Sequence, residues 1–114
     1  MSLIALAKGS RISLSRDFHV EILRGGMNRL LLRSTATKSN PTRVEIYFPY
    51  VQHLDIPMRI EDLTISCEPW GASDSFVFRL DSGGISVGQV VAAHCIYGED
   101  AAAAGSASMF PIEP

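Results

Sequence analysis

His19 and Glu21 stand two positions apart in the run Phe18-His19-Val20-Glu21-Ile22, and His53 and Asp55 repeat that spacing around Leu54. On a β-strand, residues i and i+2 project from one face, so each pair sets an imidazole beside a carboxylate. Such a pair can share a proton or begin a metal site. Zinc takes three or four protein ligands, so the two pairs would have to lie on adjacent strands to complete one. A solvated polar strand face accounts for the same four residues, and neither a metal nor any other cofactor is expected.

A hydroxyl and an imidazole recur in Asp81-Ser82-Gly83-Gly84 and Ala92-Ala93-His94-Cys95, two tetrapeptides that look like the serine and histidine signatures of trypsin-like proteases. Acyl transfer by that chemistry needs the nucleophile beside the base, and the base oriented by a third group. Here the serine segment precedes the histidine segment, Leu80 stands where a glycine would help form the oxyanion hole, and no motif places a carboxylate. Ser82-Gly83-Gly84 therefore reads as a hairpin turn and His94 as a strand residue. No catalytic residue is assigned, and the chain is expected not to be an enzyme.

Binding chemistry is the stronger expectation. Arg24, Arg29 and Arg33 flank Gly25-Gly26 and, with Arg16 and Arg43, are candidates for a basic patch that contacts phosphate or an acidic protein surface. Trp70, the one tryptophan, falls in a Pro-Trp-Gly loop and is the best single candidate for contact with a partner, because an exposed tryptophan is costly unless something buries it. Nucleic acid is an unsuited partner for a chain with a pI near 5.8 and aromatics mostly on inward phases. No glycine-rich phosphate loop precedes a helix, so nucleotide cofactors are unsupported.

The elements that must position these groups are strands. Apolar residues alternate through Val44, Ile46, Phe48 and Tyr50 and again through Leu54, Ile56, Met58 and Ile60, the period of strands with one buried face. Against them stand Arg43, Glu45, Tyr47 and Pro49, so the opposite face is expected to be polar and no strand to be buried on both sides. The phase slips to odd positions at Leu63, Ile65 and Cys67, which calls for a bend near Glu61-Asp62. Phe18 to Leu23 and Arg29 to Arg33 form a hairpin about Gly25-Gly26. Thr35 to Thr42 and Cys67 to Ser75 are loops, Phe76 to Leu80 is a strand, and Ile85 to Tyr97 is the last strand, bulged at Gly88. Seven to eight short strands with little helix predict an all-β antiparallel sandwich or open barrel.

Composition bounds the rest. The 114 residues, 46% hydrophobic, suit one domain that folds without metal or disulfide. We read residues 1–98 as a single β domain and 99–114 as an Ala/Gly/Ser-rich linker with an apolar tail, Met109 to Pro114. Cys67 and Cys95 fit no disulfide framework or zinc spacing and are expected to be buried thiols in a reducing compartment, which with no run of about 18 apolar residues suggests a cytoplasmic protein away from membranes. Residues 1–43 hold eight basic and two acidic side chains, and residues 44–114 two basic and ten acidic. The expected resolution is pairing across strands.

The segments Asp17-Phe18-His19-Val20-Glu21-Ile22, Val44-Glu45-Ile46-Tyr47-Phe48-Pro49-Tyr50-Val51 and Asp62-Leu63-Thr64-Ile65 resemble small β-rich bacterial immunity proteins of polymorphic toxin systems. Val20 departs from an aspartate in some of those proteins. The resemblance implies a toxin-binding inhibitor with no catalytic residue to carry over. The expected function is thus a non-catalytic protein-binding module with an unidentified protein partner and a possible homodimer. The alternative is a small-molecule-binding barrel or small enzyme whose site gathers His19, Glu21 and His53, with His94 as a further acid-base group, from separate strands.

Overall fold

A computed structural model describes residues 2–23, 28–71, 73–101 and Phe110. They form eleven strands: β1 Ser2–Ala5, β2 Arg11–Leu14, β3 Phe18–Leu23, β4 Arg29–Ser34, β5 Arg43–Pro49, β6 His53–Asp55, β7 Arg59–Ile60, β8 Leu63–Pro69, β9 Phe76–Ser82, β10 Ile85–Ala92 and β11 Ile96–Asp100. Every pairing is antiparallel, in one sheet of order β1-β11-β5-β4-β3-β7 and another of order β2-β8-β9-β10-β6. The sheets pack face to face and are not closed into a barrel, which removes the barrel lumen as a place for a ligand. No helix occurs among the described residues.

Alternation explains the sandwich. Val20, Leu30, Leu32, Ile46 and Phe48 point inward from the first sheet, and Leu63, Ile65, Cys67, Phe78, Leu80 and Val90 from the second. Phe48 meets Phe78 edge-on across the interface with ring centroids 5.5 Å apart. Each such side chain contributes about 1.5–3 kcal/mol by leaving water.

The count exceeds seven to eight because several strands are very short, and because long alternating runs change sheets part-way. After β5, Tyr50 adopts φ 55° and carries the chain into the other sheet as β6; Pro57 intervenes, and β7 rejoins the first sheet. The phase slip at Glu61-Asp62 is the next such crossing, with Asp62 at φ 49°. The run Ile85 to Tyr97 is two strands, β10 and β11, in different sheets, so His94 lies in the exposed bend between them and not in a strand. The expected loop at Cys67 begins only at Trp70, since β8 runs to Pro69. The Gly25-Gly26 turn lies outside the described residues, although β3 and β4 pair as a hairpin requires.

The expectation of a polar outer face fails at β5, which is buried at every position. β5 is flanked by β4 and β11, and Phe110 stacks on Tyr47 at 5.1 Å with rings 10° from parallel. Leu31, Tyr47 and Phe110 thereby make a second small core outside the sheet. The tail thus covers its own domain at this point, while 102–109 and 111–114 lie outside the described residues. β11 runs to Asp100, where Glu99 and Asp100 pair with Val44 and Arg43.

Gly88 fixes the position of β6. The β9–β10 register shifts between Ser86 and Gly88, and a Cβ at Gly88 would lie 1.9 Å from the carbonyl oxygen of Asp55. Gly88→Ala is expected to push β6 off the sheet edge and lower stability by about 2 kcal/mol. Thermal unfolding reads the loss, and faster amide exchange confined to the β6–β10 ladder reads its place.

Candidate functional site

The candidate acid-base groups do not converge. His19 and Glu21 share the outer face of β3, with His19 Nε2 3.4 Å from Glu21 Oε1. That carboxylate also accepts from Arg33 Nη1 at 2.8 Å, and Arg33 Nε donates to the fully buried Glu45 at 2.8 Å. The row is an ion-pair ladder across β3, β4 and β5. His53 and Asp55 stand in the other sheet, on β6. Among the described residues no group of three or more His, Cys, Asp or Glu side chains could hold a metal.

Ser82 and His94 are likewise separated. Ser82 ends β9 and donates to the carbonyl of Glu61 at 2.6 Å, with Gly83 and Gly84 both at positive φ in the turn that follows. His94 lies beyond the far end of β10, so roughly 20 Å of strand divides hydroxyl from imidazole at about 3.3 Å per residue. The turn reading of Ser82-Gly83-Gly84 holds.

Among the described residues these arginines are internal struts and form no exposed basic patch. Arg29 is buried, Arg33 serves Glu21 and Glu45, and Arg43 grips Asp100 at 2.7 Å. That hydrogen bond to Asp100 raises the Arg43 pKa further. Arg16 donates to Ser34 Oγ and Thr42 Oγ1, each at 3.1 Å, and to the Thr35 and Thr42 carbonyls, pinning the 35–42 loop. Burial lowers its pKa, against a raising contribution from Glu99. Arg24 lies outside the described residues. The charge imbalance along the chain is resolved by the pairs Arg11–Asp81, Arg16–Glu99, Arg33–Glu45 and Arg43–Asp100.

A polar cleft of about 560 Å³ opens beside Arg16, with Asp17, His19, Thr35, Asn40 and Arg59 in its walls. Its most buried cation is spent on the loop, and Arg59 leans on Asp17 at 3.4 Å.

The other end of the sandwich is different in kind. Tyr50, 59% exposed, is held in the left-handed region that a non-glycine residue enters at a cost of about 1 kcal/mol. Its flanks are locked: Ala93 N donates to the Pro49 carbonyl at 3.3 Å, Val51 N to Asn28 O at 2.9 Å, and Gln52 N to Val91 O at 2.7 Å. Trp70, 39% exposed, heads a turn closed by Trp70 N to Ser75 O at 3.2 Å and Ser73 Oγ to Trp70 O at 2.7 Å. Gln52 Nε2 donates to Ser75 Oγ at 2.6 Å and ties that turn to β6.

On this frame the His53 and Trp70 rings lie 6.1 Å apart. Two grooves share His53 and Leu54. One, of about 340 Å³, adds Asp55, Trp70 and Gln89, and the other, of about 230 Å³, adds Asn28, Leu30 and Val51. β6 is the last strand of its sheet and is exposed throughout, so its outer rim has no strand partner among the described residues. Trp70 and His53 were legible as polar or aromatic oddities. Tyr50 was not, because its alternation made it look inward.

Cys67 and Cys95 are free and each 1% exposed. Burial pushes the Cys95 thiol well above its ordinary pKa, with Cys67 adding to the rise, and pushes Cys67 up with help from Glu68. Thiolate is the reacting form. A thiol reagent at pH 8 is therefore expected to label neither within minutes in native buffer and both after denaturation. Rapid native labelling would show that the core opens easily.

The fold and this face define an open two-sheet antiparallel sandwich with an aromatic end beside a bare strand edge. No protein-family model, no curated protein and no solved structure gives a significant match to the chain.

Proposed function

We propose that the chain is a non-catalytic protein-binding module that holds its partner at the Tyr50–Trp70 end of the sandwich. The observation that carries this is the set of exposed side chains Tyr50, His53, Leu54 and Trp70, carried on hydrogen-bonded backbone around the open rim of β6. Aromatic side chains have few rotatable bonds and lose little entropy on contact, and such residues dominate binding energy in protein interfaces. An extended segment of the partner adds to β6 through main-chain hydrogen bonds, its side chains falling alternately into the two grooves. The resemblance to immunity proteins fits this reading by implying a toxin domain as the partner, and two free buried thiols fit a cytoplasmic setting.

A small-molecule site in the Arg16–Arg59 cleft is the second reading, favoured by the cleft's size alone. Affinity purification from native cells separates the two. The first reading expects a protein retained by the native chain and lost with Tyr50→Ala/Trp70→Ala. Retention unchanged in that double variant would refute it.

A further inference from the structure

Of the four sheet edges, β6 is the one assigned above to the partner, and two others are defended against strand addition. β7 is two residues long, follows Pro57 and carries Arg59. β2 carries Arg11, two-thirds exposed and paired with Asp81 at 3.9 Å. Shortness, charge and proline are the usual means by which an edge refuses an unwanted strand.

β1 is also short but has neither of the other two. It reads Ser-Leu-Ile-Ala, pairs with β11 over its whole length and carries no charge, proline or bulge. Alternation puts Leu3 and Ile4 on opposite faces, and they are 51% and 46% exposed. Packing one face of β1 against the domain would therefore cover one of them and leave the other in water. A further strand alongside β1 covers both.

We infer that the β1 edge pairs with β1 of a second copy, joining two six-stranded sheets into one about a two-fold axis. An axis at Ile4 sets Ile4 opposite the second copy's Ile4 on one face, and Leu3 opposite the second copy's Ala5, with Ala5 opposite its Leu3, on the other. Both faces thus gain apolar pairs. A two-fold contact opposes every group near the axis to its own duplicate, so an uncharged edge is what self-association requires and what a charged partner would not select. The neighbouring carboxylate, Glu99 on β11, is occupied by the Thr42 hydroxyl and lies 3.8 Å from Arg16. Phe110 stacks on Tyr47 of its own domain, so the described part of the tail is not the exchanged element. The surface lies apart from the Tyr50–Trp70 face and does not depend on the function proposed for it.

Four residues a side make a small interface, and the dimer is accordingly weak, with a dissociation constant on the order of 10 μM. Sedimentation velocity on the full chain from about 1 to 300 μM is expected to show monomer passing to dimer across that value. Ile4→Lys is expected to raise the constant at least tenfold, with an unchanged far-ultraviolet spectrum. Ile85→Lys, at an exposed site on the β9–β10 hairpin, is expected to leave it as it was. Amide exchange at Leu3 and Ile4 in the native chain is expected to slow as concentration rises, a readout that needs no variant. A monomer throughout the range, a dimer indifferent to Ile4→Lys, a dimer equally lost with Ile85→Lys, or exchange at β1 independent of concentration would each overturn the inference.

Discussion

Alanine at both Tyr50 and Trp70 is expected to weaken capture of the protein partner by roughly a thousandfold, since truncating a hot-spot aromatic costs about 2 kcal/mol or more and each such loss is about thirtyfold. Both side chains are substantially solvent-exposed in the free chain, so stability should fall by less than about 1 kcal/mol. Tyr50→Gly alone separates the ring from the backbone, because glycine enters the left-handed region freely and relieves the φ of 55°. That variant should be as stable as the native chain while binding about thirtyfold less well. Calorimetric unfolding beside titration with the captured partner reads both quantities, and a variant that unfolds early but binds normally when folded would contradict the assignment.

The second large effect is expected inside the domain. Arg33 bridges Glu21 and the fully buried Glu45 at 2.8 Å each. Arg33→Met keeps much of the apolar stem but removes one of the charges that face a buried carboxylate, Arg43 being another, a change that costs about 3 kcal/mol in such settings. Arg33→Met/Glu45→Met should recover most of that loss, because two apolar groups of similar volume need no ion pair. Denaturant unfolding of the two single variants and the double measures the coupling. Equal and additive losses would mean that the ladder across β3, β4 and β5 contributes by packing alone.

Much of the inward set from Phe18 to Leu80 was legible because alternation on a strand records which side chains are shielded. The failures have physical causes. Val44 to Ile60 reads as two long strands because periodicity is blind to a change of sheet, and only Pro57 and the corner at Tyr50 betray the crossings. Glu45 was assigned to a solvated face because a charge between two apolar residues usually is. Its burial depends on Arg33 and on neighbours far along the chain, which no local pattern carries. Arg29, Arg33 and Arg43 read as a patch for the same reason, since a run of cations says nothing about the carboxylates that fold against them. His19 and Glu21 do share a face, as their spacing implies, and His53 is absent from it because β6 belongs to the other sheet. Trp70 could be picked out by type alone, whereas Tyr50 needed the backbone to show that it leaves the core.

The measurement that bears most directly on a non-catalytic binding face is amide hydrogen exchange of the chain with and without the protein it retains from native cells. New protection is expected along Tyr50 to Asp55 and at Trp70, where an added strand would bond to β6 and cover the aromatics, with the Ser15–His19 and Thr35–Asn40 walls of the polar cleft unchanged. Protection confined to those cleft walls, with β6 exchanging as fast as in the free chain, would contradict it.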